Sequence, residues 1–221
     1  MDGPATVYDT LLSDIDNTTF ASKAEAGKTN IGTHHGSFHN DEVLACVMLK
    51  LLPEYKDAVI VRTRDEEVLK ECQIVVDVGG KYDPAALRYD HHQREFTETY
   101  AADYDIKLSS AGLVFKHHGK DVIAAICKDK ELPGEVIDIF VKKIYEGLIS
   151  EVDAIDNGVE IAGDAPVKYR FTSNLGSRVS RLNPPWNVDT SPAAEGEGFK
   201  KAMVICAEEL VDQVEEFFAI S

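Results

Sequence analysis

The sequence has no apolar run approaching the roughly 20 residues that a transmembrane helix needs, so no membrane partner is expected. Basic residues are scarce: Lys and Arg total 23 against 39 Asp and Glu, a formal charge of −16. That balance argues against a broad basic surface holding DNA or RNA by phosphate neutralisation. It leaves nucleic acid open as a substrate, because carboxylates can gather cations that in turn meet a phosphate. Cysteine is limited to Cys46, Cys72, Cys127 and Cys206, far apart and without a CxxC pair. They read as buried thiols in a reducing compartment rather than a disulfide framework. Residues 1–27 contain no Arg, and they lack the basic start and apolar run of a secretory signal. Nucleus or cytoplasm is the expected location.

What the chain does have is the composition of one folded unit. Its 221 residues are 44% apolar and 28% charged, enough for a core without staples. Residues 1–27 are polar and weakly periodic and are expected to form an extension, partly disordered. Residues 29–33 suit a short strand, and 34–40 a loop. Asp41 and Glu42 then open a helix whose apolar face carries Val43, Leu44, Val47, Met48, Leu51 and Leu52, stopped by Pro53. Residues 58–62 and 73–77 read as buried strands separated by a short helix over 65–72. This alternation predicts an α/β domain with a mostly parallel sheet flanked by helices. Further helices are expected at 109–118, 121–128 and 133–152, then a loop over 183–198 and a last amphipathic helix from Phe199 to Phe218.

Five polar clusters carry the chemistry. They are His34, His35, His39 and Asp41; Asp77; Asp90, His91 and His92; Asp153 and Asp156; and Arg170, Arg178 and Arg181. Asp77 follows three apolar strand residues, and ligands of open α/β sheets bind beyond the carboxyl ends of strands. Taken singly, each acid has an ordinary explanation: Asp41 as a charge at a helix N-terminus, Asp77 as a turn residue, Asp153 or Asp156 as a cap. His117 and His118, beside Gly119, read as a helix end. The recurrence of His and Asp at successive loops of one unit points instead to a divalent metal site. Mixed nitrogen and oxygen donors suit Mn²⁺, Zn²⁺ or Fe²⁺ better than Mg²⁺. Two cations sharing a carboxylate would let so many acids converge.

The segments IGTHHGSFHNDEVLACVMLKLLP, IVVDVGGKYDP, RYDHHQREFTETY, EVDAIDNG and RVSRLNPPWN closely resemble the MYG1 family, a divergent branch of the DHH phosphoesterases. The match runs in register from about Lys28 to about Phe217. The resemblance implies a DHH-type catalytic domain over 28–198. From 199 to 221 it implies the start of a linker helix to a C-terminal domain that this chain lacks. It implies a metal-dependent phosphodiesterase, a 3′–5′ exoribonuclease of RNA processing in nucleus and mitochondrion. The implied metal ligands are His34, His39, Asp41, Asp77, His91 and Asp153, around two ions, with Mn²⁺ favoured over Mg²⁺ or Zn²⁺. Asp77 would bridge them and help activate a water, His92 would assist the leaving oxygen, and Asp90 would orient the histidines. Arg178 and Arg181, three apart, suit a phosphate clamp as well as they suit surface salt bridges. His39 replaces one carboxylate of the common DHH first motif. A small-molecule phosphatase with the same cage, or a non-catalytic metal-binding module, are the alternative readings.

Overall fold

A computed structural model describes residues 5–220 apart from 131, 164, 186, 189 and 190. Helix α1 (Val7–Asp16) and strand β1 (Phe20–Ala21) come first. Then follow β2 (Asn30–Thr33), α2 (Asn40–Lys50), β3 (Val59–Arg62), α3 (Glu66–Lys70) and β4 (Ile74–Val76). After them come β5 (Tyr82–Asp83), β6 (Arg88–Tyr89), α4 (Ser110–Ile126), α5 (Gly134–Ile144), α6 (Ser150–Asp156), α7 (Leu175–Ser180) and α8 (Pro192–Ile220). The six strands form one sheet in the order β1-β3-β2-β4-β6-β5, parallel except for the β5–β6 pair. The mostly parallel α/β sheet expected from the sequence is the one observed.

Side chains alternate across each strand, so neighbours serve different layers. Ile60, Ile74 and Val76 join the large core shared with α1, α2, α4, α5 and α8. Val59, Val61 and Val75 turn to a small cluster with Leu69 and Cys72 of the α3 region. Gly32 permits that second contact: a β-carbon there would stand 3.0 Å from Leu69 Cδ2 and 3.2 Å from Cys72 Sγ. Helices therefore cover both faces. The chain leaves β2 for β3 on one side and then crosses to β4 on the other. The carboxyl ends of β2 and β4 thus flank a topological switch point, where doubly wound sheets bind ligands.

Several sequence expectations are revised. Residues 7–16 form a helix, not a loose extension. Thr6 and Asp9 make a reciprocal capping box, Leu11 and Ile15 are buried, and α1 packs on α8. The expected amphipathic helix α2 is buried along its whole length, including Asn40, Asp41, Glu42 and Lys50, because α4 and α8, with α1, α6 and α7, pack around it. Lys50 tolerates this by donating from Nζ to the carbonyls of Lys56 and Ala58, at 2.9 and 2.7 Å. The two helices expected at 109–118 and 121–128 are one helix, α4. The buried series Leu113, Val114, Val122, Ile123 and Ile126 carries it through Gly119. His117 and His118 are consequently mid-helix, paired with the hydroxyls of Tyr82 and Tyr89 at 2.8 and 3.0 Å.

The helix expected over 133–152 runs on to Asp156, interrupted by a π-helical turn at Tyr145–Ile149. Helix α8 begins at Pro192, inside the expected loop, while residues 186, 189 and 190 of that loop lie outside the described residues. Phe199, Met203, Cys206, Leu210 and Val214 of α8 are fully buried against α1, α2 and α7. The helix is thus part of the domain core. Residues 1–4 and 221 lie outside the described residues.

Candidate metal centre

Each element of the switch point delivers its side chains by its end. His34 follows β2, Asp77 follows β4, and Asp90, His91 and His92 follow β6. His39 is the N-cap of α2, so Asp41 and Glu42 occupy that helix's first turn. Asp156 closes α6. Asp77 sits at φ 56°, a left-handed conformation that Asp tolerates better than most residues. That backbone turn re-aims the side chain at the point where pairing with β6 ends, its N–H still donating to Tyr89 O at 3.1 Å.

The side chains converge closely. His34 Nε2 lies 2.9 Å from Glu42 Oε1 and 3.3 Å from Asp77 Oδ2. His91 Nε2 lies 3.1 Å from Asp156 Oδ2, 3.4 Å from Asp77 Oδ1 and 3.9 Å from Asp41 Oδ2. Three overlapping sets have ligand atoms within 4.8 Å of one another. They are His34, His39, Glu42 and Asp77; Asp77, His91 and His92; and His39, Asp41 and Asp156. Asp77 belongs to two sets and so does His39.

Protons and dipoles offset the mutual repulsion of these acids. Burial works against the charged imidazole of His34, but Asp77 and Glu42 overcome it and raise its pKa to about 10. His91 is likewise opposed by burial and lifted by Asp156 and Asp77 to about 9. Burial opposes the Asp77 carboxylate too, yet the two histidines hold its pKa well below the usual range. Asp41 is the exception. Burial, with Asp77, Asp156 and Glu42 around it, pushes its pKa well above normal. The N-terminus of α4 helps through its positive dipole end: Ser110 N–H donates to Asp41 Oδ2 at 3.3 Å, and Ser110 Oγ to Asp77 Oδ1 at 3.2 Å.

The donor set fits a divalent cation. Among the described residues, Asp41 Oδ1 and both ring nitrogens of His91 are buried without a hydrogen-bond partner. Native interiors rarely leave such atoms unpaired, and His91 Nε2 nears three carboxylates without hydrogen-bond alignment. His34 Nδ1 faces His35 O at 3.2 Å, the outer contact that fixes a ligating imidazole. The cluster could hold a metal ion on the chemistry of its donors alone.

Other residues named from the sequence are not in these three sets. Asp153 is buried, but its oxygens are committed: Oδ1 accepts from Ser109 N and Oγ at 2.8 and 2.7 Å, and Oδ2 from Tyr145 OH at 3.3 Å. It is Asp156, three residues on, that meets the cluster. Asp90 accepts from Gly80 N at 2.6 Å and holds His92 Nδ1 at 2.7 Å, so it orients that half-exposed imidazole. Arg178 pairs with Glu209 of α8 at 3.3 Å, and Arg181 donates to Thr172 O at 2.9 Å. His35 is exposed and lines a cavity of about 1240 Å³ with Arg62, Lys23 and Lys200.

Two contributors were not singled out in the sequence. Glu42 accepts from His39 N at 2.9 Å while facing His34, and the spacing of a cap followed three residues later by Glu was the available signal. Arg62 donates to His34 O at 3.2 Å and Gly36 O at 2.6 Å and pairs with Glu195 at 3.3 Å. It fastens the ligand loop to α8, and nothing in its own neighbourhood of sequence announces that.

Among the described residues no helix is long and apolar enough to cross a membrane. Residues 30–220 match the MYG1 exonuclease family model, whose description reads "Uncharacterised protein family (UPF0160)". The chain is 48% identical over 191 residues to the MYG1 exonuclease of Homo sapiens, covering 84% of this chain and 50% of that protein. It is 42% identical to the MYG1 protein of Dictyostelium discoideum, covering 85% of this chain and 56% of that protein. It is 43% identical to an MYG1 protein of Saccharomyces cerevisiae, covering 78% and 52%. The chain thus spans about half the length of the curated relatives it matches. No solved structure matches it.

Proposed function

The chain belongs to the MYG1 exonuclease family, and from that premise we propose that it is a metal-dependent phosphodiesterase that shortens RNA from its 3′ end. The observation that carries this reading is the overlap of ligand sets on Asp77 and His39 at the switch point, where Asp41 Oδ1 and the His91 ring nitrogens are buried without a hydrogen-bond partner among the described residues. His34, His39, Asp41, Glu42, Asp77, His91 and Asp156 would hold the cations, with Mn²⁺ suited to so nitrogen-rich a set. Bound there, the cations would supply Lewis acidity toward a phosphoryl oxygen and neutralise its developing charge.

The chain's own groups supply the rest. Asp90 holds His92 Nδ1 at 2.7 Å and raises the imidazole's pKa, which leaves Nε2 to give a proton to the departing oxygen. Asp90 is itself fixed by Gly80 N–H and so sets the tautomer as well as the ring orientation. Ser110 and the N-terminus of α4 hold Asp41 and Asp77 in place when no cation is present.

The test is digestion of a 5′-labelled single-stranded RNA by the Mn²⁺-reloaded chain. A ladder of 3′-shortened products that disappears in Asp77→Asn supports the reading. Asn tolerates the left-handed backbone at this position, so the variant removes charge and not conformation. Full activity in Asp77→Asn would contradict it. Turnover of dinucleotides alone would move the substrate class to small phosphoesters.

A further inference from the structure

Residues 157–174 connect α6 to α7 and have both feet beside the cluster. At one foot, Asp156 meets His91, and Asn157 Nδ2 ties the turn to Lys107 O at 2.8 Å. At the other, a β-carbon on Gly176 would stand 3.6 Å from Ile155 Cγ2 and 3.9 Å from Asn40 Cβ, next to Asp41. Between the feet the chain turns outward. Val167 is 54% exposed, Tyr169 77% and Phe171 55%, and Lys168 and Arg170 stand exposed among them. Among the described residues, Lys168, Tyr169, Arg170 and Phe171 make no hydrogen bond, ion pair or ring contact. Two aromatic rings in water and two cations without partners, on a chain of charge −16, are costly to keep for packing reasons alone. Arg181 steadies the segment by donating to Thr172 O.

We propose that Lys168, Tyr169, Arg170 and Phe171 form a single-stranded nucleic-acid contact strip that leads the substrate to the metal centre. Aromatic faces stack unpaired bases of any sequence, and interleaved cations follow the phosphates. Phe171 is five residues from Gly176, so the strip lies within roughly 18 Å of chain from the rim of the cluster, a span of a few nucleotides. Two exposed cations interleaved with two exposed aromatic rings match a single-stranded polyanion, whose phosphates meet the cations while its bases stack on the rings. This inference rests on the phosphodiesterase reading above and adds the substrate's binding surface.

The test uses the Mn²⁺-reloaded chain and a fluorescent 12-nucleotide oligouridylate with phosphorothioate linkages, read by anisotropy. An abasic strand of equal length and charge is the control. In the Tyr169→Ala, Phe171→Ala double variant, oligouridylate binding is expected to weaken at least about tenfold while the abasic strand is unaffected. In Lys168→Gln with Arg170→Gln, both strands should weaken, and the slope of log affinity against log salt should fall by about 1.4. Oligouridylate affinity within twofold of wild type in both variants would overturn the strip. So would a loss of self-association on light scattering in the aromatic variant with RNA affinity intact, which would make the segment a protein interface. Hydrolysis of bis(p-nitrophenyl) phosphate, measured alongside, separates the two levels. If it persists while RNA affinity is indifferent to the strip, only the strip fails. If wild type hydrolyses no diester, the underlying function fails.

Discussion

Replacing Asp41 by Asn should do two opposite things, and their combination distinguishes a ligand from a structural acid. Asp41 is fully buried, and its Oδ1 has no partner. Its ligand oxygen lies within 4.8 Å of one on Asp156. At an effective dielectric near 20, two charges at that separation repel by about 3 kcal/mol, part of which proton uptake relieves. The amide of Asn keeps the acceptor for Ser110 N–H and turns a donor toward the neighbouring carboxylates. In EDTA the variant should therefore be more stable than wild type by roughly 1–3 kcal/mol, or about 2–12 °C in midpoint for a chain of this size. Added Mn²⁺ should reverse the ranking. At a hundredfold excess over its dissociation constant, the ion stabilises wild type by about 2.7 kcal/mol, roughly 5–11 °C. A hundredfold loss of affinity in the variant leaves about 0.4 kcal/mol, near 1–2 °C. The assay is a thermal melt in EDTA and in Mn²⁺. A variant that is less stable in EDTA yet gains as much from Mn²⁺ as wild type would refute the reasoning.

Asp153→Asn and Asp156→Asn should separate a structural acid from a ligand. The first should keep Mn²⁺ binding and the second should lose most of it, as read by titration calorimetry. Burial drives the Asp153 pKa up to about 7 from 3.8. Wild type should thus lose stability as pH rises through that window, on the order of 4 kcal/mol, and Asp153→Asn should flatten the profile in urea melts. Gly112→Ala should destabilise by roughly 1–3 kcal/mol or more, because a β-carbon there collides with the Asp153 carboxylate; an unchanged urea midpoint would exclude that contact.

Much of this was legible in the sequence, for reasons that differ by element. The strands at 59–62 and 74–76 are short apolar runs bounded by charge, and burial on both faces leaves them little else to be. The histidines and Asp77 were readable because strand ends of an α/β sheet face one crevice. Helix α1 was hidden because only Leu11 and Ile15 are buried in it, and its one clear signal was the Thr6–Asp9 spacing. The choice between Asp153 and Asp156 turned on tertiary position. Val152 and Asp153 continue the buried ridge of Leu148 and Ile149, so Asp153 is drawn under α4 and must be hydrogen-bonded there. Asp156 lies one turn further on, past the core, where α6 ends at the crevice. The arginine pair was read by spacing alone, which could not reveal that α8 supplies Glu209.

The most direct test of the central claim is the divalent metal content of the folded chain, measured by elemental analysis after exhaustive dialysis and reloading with Mn²⁺. The overlapping ligand sets predict close to two equivalents in wild type, with loss in Asp77→Asn and retention in Asp153→Asn. No bound Mn²⁺ in wild type, or two equivalents that survive Asp77→Asn, would contradict the account.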